Sequence, residues 1–181
     1  ECFNEASKLQ LPFLCGYNRR FDPHFARLHD QLKEIGTVKF FRLTSRDHPP
    51  PPLDFLDSAG TFFDDFSTHD VDTARWITGE EPELVYAVAS SFLPGYKAKN
   101  VDDTAIIVLK FPSGAICVID DSRRTTYGYD QRIEVLGTKG MLQAENPLVN
   151  SVKVWSGNGN QGAVAKYSFP ERYQDAYNVE L

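Results

Sequence analysis

Two hydrophobic periods alternate along this chain, and they predict its elements. Seven stretches are β-rich, with period-two alternation or short apolar runs: Thr37–Thr44, Glu83–Phe92, Thr104–Phe111, Ala115–Asp121, Gln131–Leu136, Met141–Glu145 and Ser151–Trp155. A shorter apolar run, Leu11–Tyr17, has the same character. Helical spacing is found elsewhere. Phe25, Leu28, Leu32 and Ile35 form an apolar stripe that begins at Asp22-Pro23, an N-cap followed by Pro at N1, and ends at Gly36. Gly60–Gly79 opens and closes on glycine and predicts one helix of about five turns. In it Phe62, Phe66, Thr73 and Ile77 fall on a core-type face. Residues 2–10 have the pattern of a helix end. Pro170–Leu181 predicts a last helix with Tyr173, Ala176 and Tyr177 on one side.

Turn chemistry orders these elements. Pro112-Ser113-Gly114 joins two strands as a hairpin, and Gly137-Thr138-Lys139-Gly140 joins two more. Asn158–Gly162 is expected as a flexible tip, and the four prolines Pro49–Pro52 as a stiff extended connector. The resulting fold class is α+β: an open, mostly antiparallel sheet of about six strands with helices on one face. Ile107, Leu109, Ile116 and Val118 are expected on the other face. An apolar sheet face left bare normally meets another subunit or domain, so a homo-oligomer through that face is expected.

Composition narrows the function classes. The chain has 181 residues, 41% hydrophobic and 24% charged, enough for one large domain with a sizeable core. A formal net charge of −6, with basic residues never clustered beyond pairs, argues against nucleic-acid and anionic-membrane partners. Cys2, Cys15 and Cys117 show no C-x-x-C spacing; Cys15 and Cys117 lie in apolar runs and are expected as buried free thiols in a reducing compartment. No signal or membrane-spanning segment is visible, which makes a cytoplasmic location the default. The chain opens at Glu1 within a helix-like stretch and stops at Leu181 without a cap, so a domain cut from a longer protein, shortened at its C-terminus too, is expected.

Candidate chemistry centres on the Gly60–Gly79 helix. Asp65, His69, Asp72 and Trp76 are spaced i, i+4, i+7, i+11, one helical face. A carboxylate one turn before an imidazole orients the ring and raises its proton affinity, as a general acid/base requires. The same spacing also suits a core histidine with a solvated acidic neighbour. Asn18 and Arg19 follow the apolar run at a sheet edge, where they either face a ligand or, for the arginine, pair with surface acids. Tyr127-Gly128-Tyr129-Asp130 either lines a sugar-type pocket or packs a turn. His48 has no partner at metal-ligand spacing, and no metal site is expected. No G-x-G-x-x-G, P-loop or G-x-S-x-G motif is present.

Taken together, four stretches resemble the C-terminal, substrate-binding domain of the Gfo/Idh/MocA oxidoreductases, the glucose–fructose oxidoreductase and inositol 2-dehydrogenase type. They are Gly16–Pro23, similar to a G-[FY]-x-R-R-[FY]-D segment; Gly60–Trp76, similar to a G-G-x-x-x-D-x-x-x-H-x-x-D helix with Thr61 at the second glycine; Tyr127–Asp130 with Glu134–Gly140; and Pro170–Leu181. The resemblance runs from Phe13 to Leu181. It implies that residues 1–15 end a Rossmann domain that would precede this chain, and that residues 16–181 form a substrate-binding and oligomerisation domain. It implies that His69 takes a hydroxyl proton while hydride leaves for the nicotinamide, with Asp65 orienting it or binding substrate. Asn18, Arg19 and one of Tyr127 or Tyr129 match substrate-contacting positions. NAD or NADP would be held by the other half, as would a catalytic lysine, so this chain alone is expected to be inactive. The expected function is oxidation of a secondary alcohol of a polyol, sugar or cyclic diol. Two alternatives are a non-catalytic short form acting as a binding or oligomerisation module, and a metal-dependent lyase or isomerase on Asp65 and His69.

Overall fold

The computed structural model describes residues 2–181. Its helices are α1 (Cys2–Lys8), α2 (Pro23–Asp30), α3 (Thr68–Thr78), α4 (Pro94–Ala98), α5 (Phe169–Arg172) and α6 (Gln174–Glu180). Its strands are β1 (Val38–Arg46), β2 (Leu84–Ser90), β3 (Thr104–Lys110), β4 (Ile116–Ser122), β5 (Asp130–Gly137), β6 (Met141–Ala144), β7 (Lys153–Ser156) and β8 (Gly159–Gly162). Six strands form one sheet in the order β2-β3-β4-β1-β5-β6. Both expected hairpins, β3–β4 and β5–β6, are present. β1 inserts between them, parallel to β4 and antiparallel to β5. The sheet is thus mostly antiparallel, as the turn chemistry implied.

One face of the sheet carries the core. Phe41, Leu43, Ile107, Leu109, Cys117, Ile119, Ile133 and Val135 point towards α2 and α3, where Phe25, Leu28, Ala74 and Ile77 close over them. Burying each large side chain is worth about 1.5–3 kcal/mol relative to exposure. Ile107 and Leu109 therefore belong to the helix-covered face, which corrects their expected placement. Ile116 and Val118 do lie on the open face, beside Ile106 and Val108 of β3. Both faces of β3 are apolar, so its residues do not mark which parity faces inward; the pairing register does. The open face also exposes Leu84, Tyr86, Val88, Leu136 and Met141.

Gly36 ends the α2 region as expected, with φ +75, but the last turn, Leu32–Ile35, is tightened to 3-10 geometry. Gly137 is required by a close approach: a Cβ there would lie 2.2 Å from the Ile35 carbonyl oxygen.

Other expectations are corrected. Leu11–Tyr17 forms no regular element and pairs with no described strand, and Leu11, Phe13 and Leu14 are exposed; an apolar run becomes a strand only where a ladder partner exists. Cys15 in this run is exposed, while Cys117 in β4 is buried. The expected flexible tip Asn158–Gly162 contains β8, paired with β7. The last helix is broken at Tyr173 into α5 and α6. α4, begun by Pro94, had no counterpart in the sequence reading. Among the described residues no helix is long and apolar enough to cross a membrane.

Candidate active site

The parallel β1–β4 pair decides where chemistry gathers. Parallel neighbours end at the same sheet edge, and antiparallel β5 begins there: Arg46 of β1 is in register with Ser122 of β4 and with Asp130 of β5. The residues just beyond, Asp47, Arg123 and Tyr129, therefore converge although they are far apart in sequence. The start of the Gly60–Gly79 helix, the 3-10 turn Asn18–Phe21 and the C-terminal helices close over them. The cleft they form, open on one side, has a volume of about 320 Å³. Asp65, Phe66 and His69 line it, with Asn18 and Arg19 from the turn and Tyr173, Tyr177 and Glu180 from the C-terminal segment.

The long helix is not uniform. Phe63–Ser67 forms a π-turn, in which the Thr68 N–H donates to the Phe63 carbonyl, and α3 continues from Thr68. Such widened turns occur often at functional sites. Phe62, Phe66, Thr73 and Ile77 are all buried, as expected. The helix brings Asp65 and His69 to the same cavity, but the two are not hydrogen-bonded. Asp65 Oδ2 accepts from Arg123 Nη2 at 2.5 Å. His69 Nδ1 is buried with no protein partner among the described residues. Burial holds the His69 pKa below the ordinary histidine value of 6.5, and the Arg19 charge adds to this; Asp70, Asp65 and Asp72 oppose it and are outweighed. The raised proton affinity expected from the Asp65 spacing is thus reversed: the ring is kept neutral. Asp72 and Trp76 leave the site. Asp72 receives a two-pronged bond from Arg20, at 2.9 and 2.5 Å, and Trp76 stacks on His29 with ring centroids 4.2 Å apart.

Asn18 and Arg19 are both buried at the cavity. Arg19 is not a free cation: Nη1 donates to Asp70 Oδ1 at 2.6 Å and to Ser45 Oγ at 2.9 Å. Burial disfavours its charge, but Asp70, Tyr173 and Tyr129 together outweigh that and its pKa is raised. Of the two tyrosines, Tyr129 lines the cavity and is buried, which raises its pKa. Tyr127 is half-exposed outside it, its hydroxyl donating to Asp130 Oδ2 at 2.7 Å and accepting from Arg46 Nη1 at 3.0 Å. His48 is bound elsewhere, its Nδ1 3.2 Å from the Thr125 carbonyl oxygen.

Asp47, Arg123, Tyr173 and Tyr177 line the cavity without having been singled out for it. Asp47 and Arg123 sit just past strand ends, and only the β1–β4 pairing reveals that those ends coincide. Burial pushes the Asp47 carboxyl up to about 7, against the pull of Arg123 and Arg19. Beneath them Ser67 Oγ donates to buried Asp121 Oδ2 at 2.5 Å. Among the described residues no group of three His, Cys, Asp or Glu side chains is placed to hold a metal.

The molecule is thus an α+β sheet domain with a histidine and a carboxylate in one cleft at the sheet edge. The family model for the GFO/IDH/MocA C-terminal domain matches residues 27–143, and the chain belongs to the Gfo/Idh/MocA family. It is 45% identical over 98% of its length to a myo-inositol 2-dehydrogenase of Thermotoga maritima, covering 54% of that protein, and 38% identical over 99% to an inositol 2-dehydrogenase of Rhizobium meliloti, covering 56%. It therefore spans about half the length of these curated relatives. Among solved structures it matches a scyllo-inositol dehydrogenase of Lactobacillus casei with bound NAD(H) and scyllo-inositol, with a TM-score of 0.82 and 29% identity, over 97% of this chain and 54% of that one.

Proposed function

We propose that this domain is the substrate-binding and proton-transfer part of an NAD(P)-dependent dehydrogenase acting on a secondary alcohol of a cyclic polyol, an inositol in the first instance. The observation that carries the reading is that His69 and Asp65 line one cavity, together with Asn18, Arg19 and Tyr129. A neutral imidazole is a base ready to accept a proton, and its burial keeps it neutral at physiological pH. A cavity of about 320 Å³ matches the lower range of small-ligand sites. That suits one polyol and is too small for a whole dinucleotide.

In this reading His69 accepts the proton of the reacting hydroxyl. Asp65, held by Arg123 rather than by His69, accepts a hydrogen bond from a second hydroxyl. Asn18 and Tyr129 supply further polar contacts, and Arg19 lines the cavity while bonded to Asp70. NAD or NADP, bound by the half that the family resemblance implies, supplies the hydride acceptor; residues 16–181 alone are then not expected to turn over. The inositol dehydrogenase relatives support the substrate class.

The test is reduction of NAD⁺ or NADP⁺ by myo- and scyllo-inositol in a protein joining this domain to its nucleotide-binding half. His69→Ala is expected to lower kcat about 10²–10⁴-fold; full turnover in that variant would remove His69 from the mechanism.

The open sheet face supports a homo-oligomer, as Tyr86 and Val88 of β2 and, across β3, Ile116 of β4 all expose apolar surface on it. Sedimentation of Val88→Asp beside the unmodified chain tests this: the substitution is expected to shift the distribution towards monomer.

A further inference from the structure

Arg123 touches both acidic walls of the cleft. Its Nη2 lies 2.5 Å from Asp65 Oδ2 on the π-turn, and its Nη1 lies 3.8 Å from Asp47 Oδ2 beyond β1. The side chain is itself fixed. It is 3% exposed, its guanidinium lies over the rings of Phe62 and Phe66, 5.4 and 4.9 Å from their centroids, and its backbone N–H donates to the Asp103 carbonyl at 2.7 Å. Phe62 precedes the π-turn that carries Asp65, and Phe66 lies within it. The arginine therefore locks the position of that turn and the direction of its carboxylate together. A planar fork on an aromatic face is an arrangement that lysine does not reproduce.

We infer that Arg123 is the positioning residue of this cleft: it clamps Asp65 and Asp47 on opposite walls, so that each presents its other carboxyl oxygen to the ligand. Asp65 Oδ1 has no protein hydrogen bond among the described residues, and Asp47, held by ionic contact alone, has both carboxyl oxygens free of one. A polyol offers hydroxyl donors on either side of its ring, and two acidic acceptors held apart read such a pair. The charges facing the clamp are Arg19 and Asp70 towards Asp47, and His69 towards Asp65. Without the cation between them, the two carboxyls would repel and compete for a proton.

The inference rests on the dehydrogenase reading only for its kinetic consequence. Its direct test is a pH titration of the Asp47 side-chain carboxyl carbon by NMR in this chain, which requires neither cofactor nor turnover. In Arg123→Met its midpoint is expected to rise by about one pH unit or more. An unmoved midpoint in a folded Arg123→Met chain would overturn the clamp. Should that variant not fold, Arg123→Lys decides: an ammonium does not reproduce the fork that reaches both walls, so the Asp47 midpoint rises, and an unmoved midpoint refutes the proposal. In the full-length protein Arg123→Lys is expected to raise the KM for inositol about tenfold while lowering kcat less. An unmoved KM would refute the positioning role. Absence of inositol oxidation in the unmodified protein would count against the proposed function and leave the titration to decide the clamp.

Discussion

Asp22 and Arg172, 150 residues apart, form a buried two-pronged ion pair: Arg172 Nη2 donates to Asp22 Oδ1 at 3.1 Å and Nη1 donates to Oδ2. The same Asp22 oxygen, Oδ1, accepts the His24 and Phe25 N–H groups, each at 3.1 Å, and so caps α2. One carboxylate thus starts a helix and fastens the C-terminal segment that carries Tyr173 and Tyr177 to the cleft. Removing one partner of a buried pair costs about 3–5 kcal/mol, because the other charge stays buried alone. Asp22→Ala is expected to lower Tm by about 10 °C in calorimetry, and a drop below about 2 °C would show that the pair is not holding the segment.

His69 sets the expected acid limb of turnover. The active form is the neutral ring, and burial lowers its folded pKa. Falling pH therefore protonates it only below the ordinary value of 6.5, and log kcat/KM is expected to fall with a midpoint under 6.5. The same shift makes the unfolded chain take up the proton first. Stability from this group is present above 6.5 and is lost as pH falls from 6.5 through the folded pKa. A rate limb at or above 6.5 would contradict the assignment.

The two tyrosines of Tyr127-Gly128-Tyr129 separate cleanly. Tyr129→Phe is expected to raise the KM for inositol about tenfold, the loss of one hydrogen bond. Tyr127→Phe, which only releases Arg46 and Asp130 outside the cavity, is expected to leave KM unchanged and stability within about 0.5 kcal/mol. Equal effects on KM would mean that ligand reaches beyond the cavity described.

Asp47 carries the opposite linkage to His69. Its folded pKa, about 7, stands above the ordinary 3.8, so its favourable contribution is complete below 3.8 and is lost as pH rises through about 7. Asn is the neutral mimic of the protonated group. Asp47→Asn is expected to stabilise the domain by about 1–2 kcal/mol at pH 8 and not near pH 4, measured by urea unfolding at both values. A gain of equal size at both pH values would show that charge is not its cause.

The sequence by itself determined most of the sheet strands, the α2 start and the two hairpins. Asp22-Pro23 is a helix start in any context, and Pro112-Ser113-Gly114 turns the chain locally, because caps and turns are settled by a few adjacent residues. The Gly60–Gly79 pattern likewise brought Asp65 and His69 to one place. Tertiary structure decided what depends on distant partners. The parallel pairing of β1 with β4 placed Asp47 and Arg123 side by side, and no local pattern encodes which strand slips between two hairpins. The register decided that Ile107 is core while Val108 faces outward, since both are apolar. Burial and Arg19 reversed the protonation expected of His69, because a pKa answers to desolvation and through-space charge, and the Asp65 spacing reports neither.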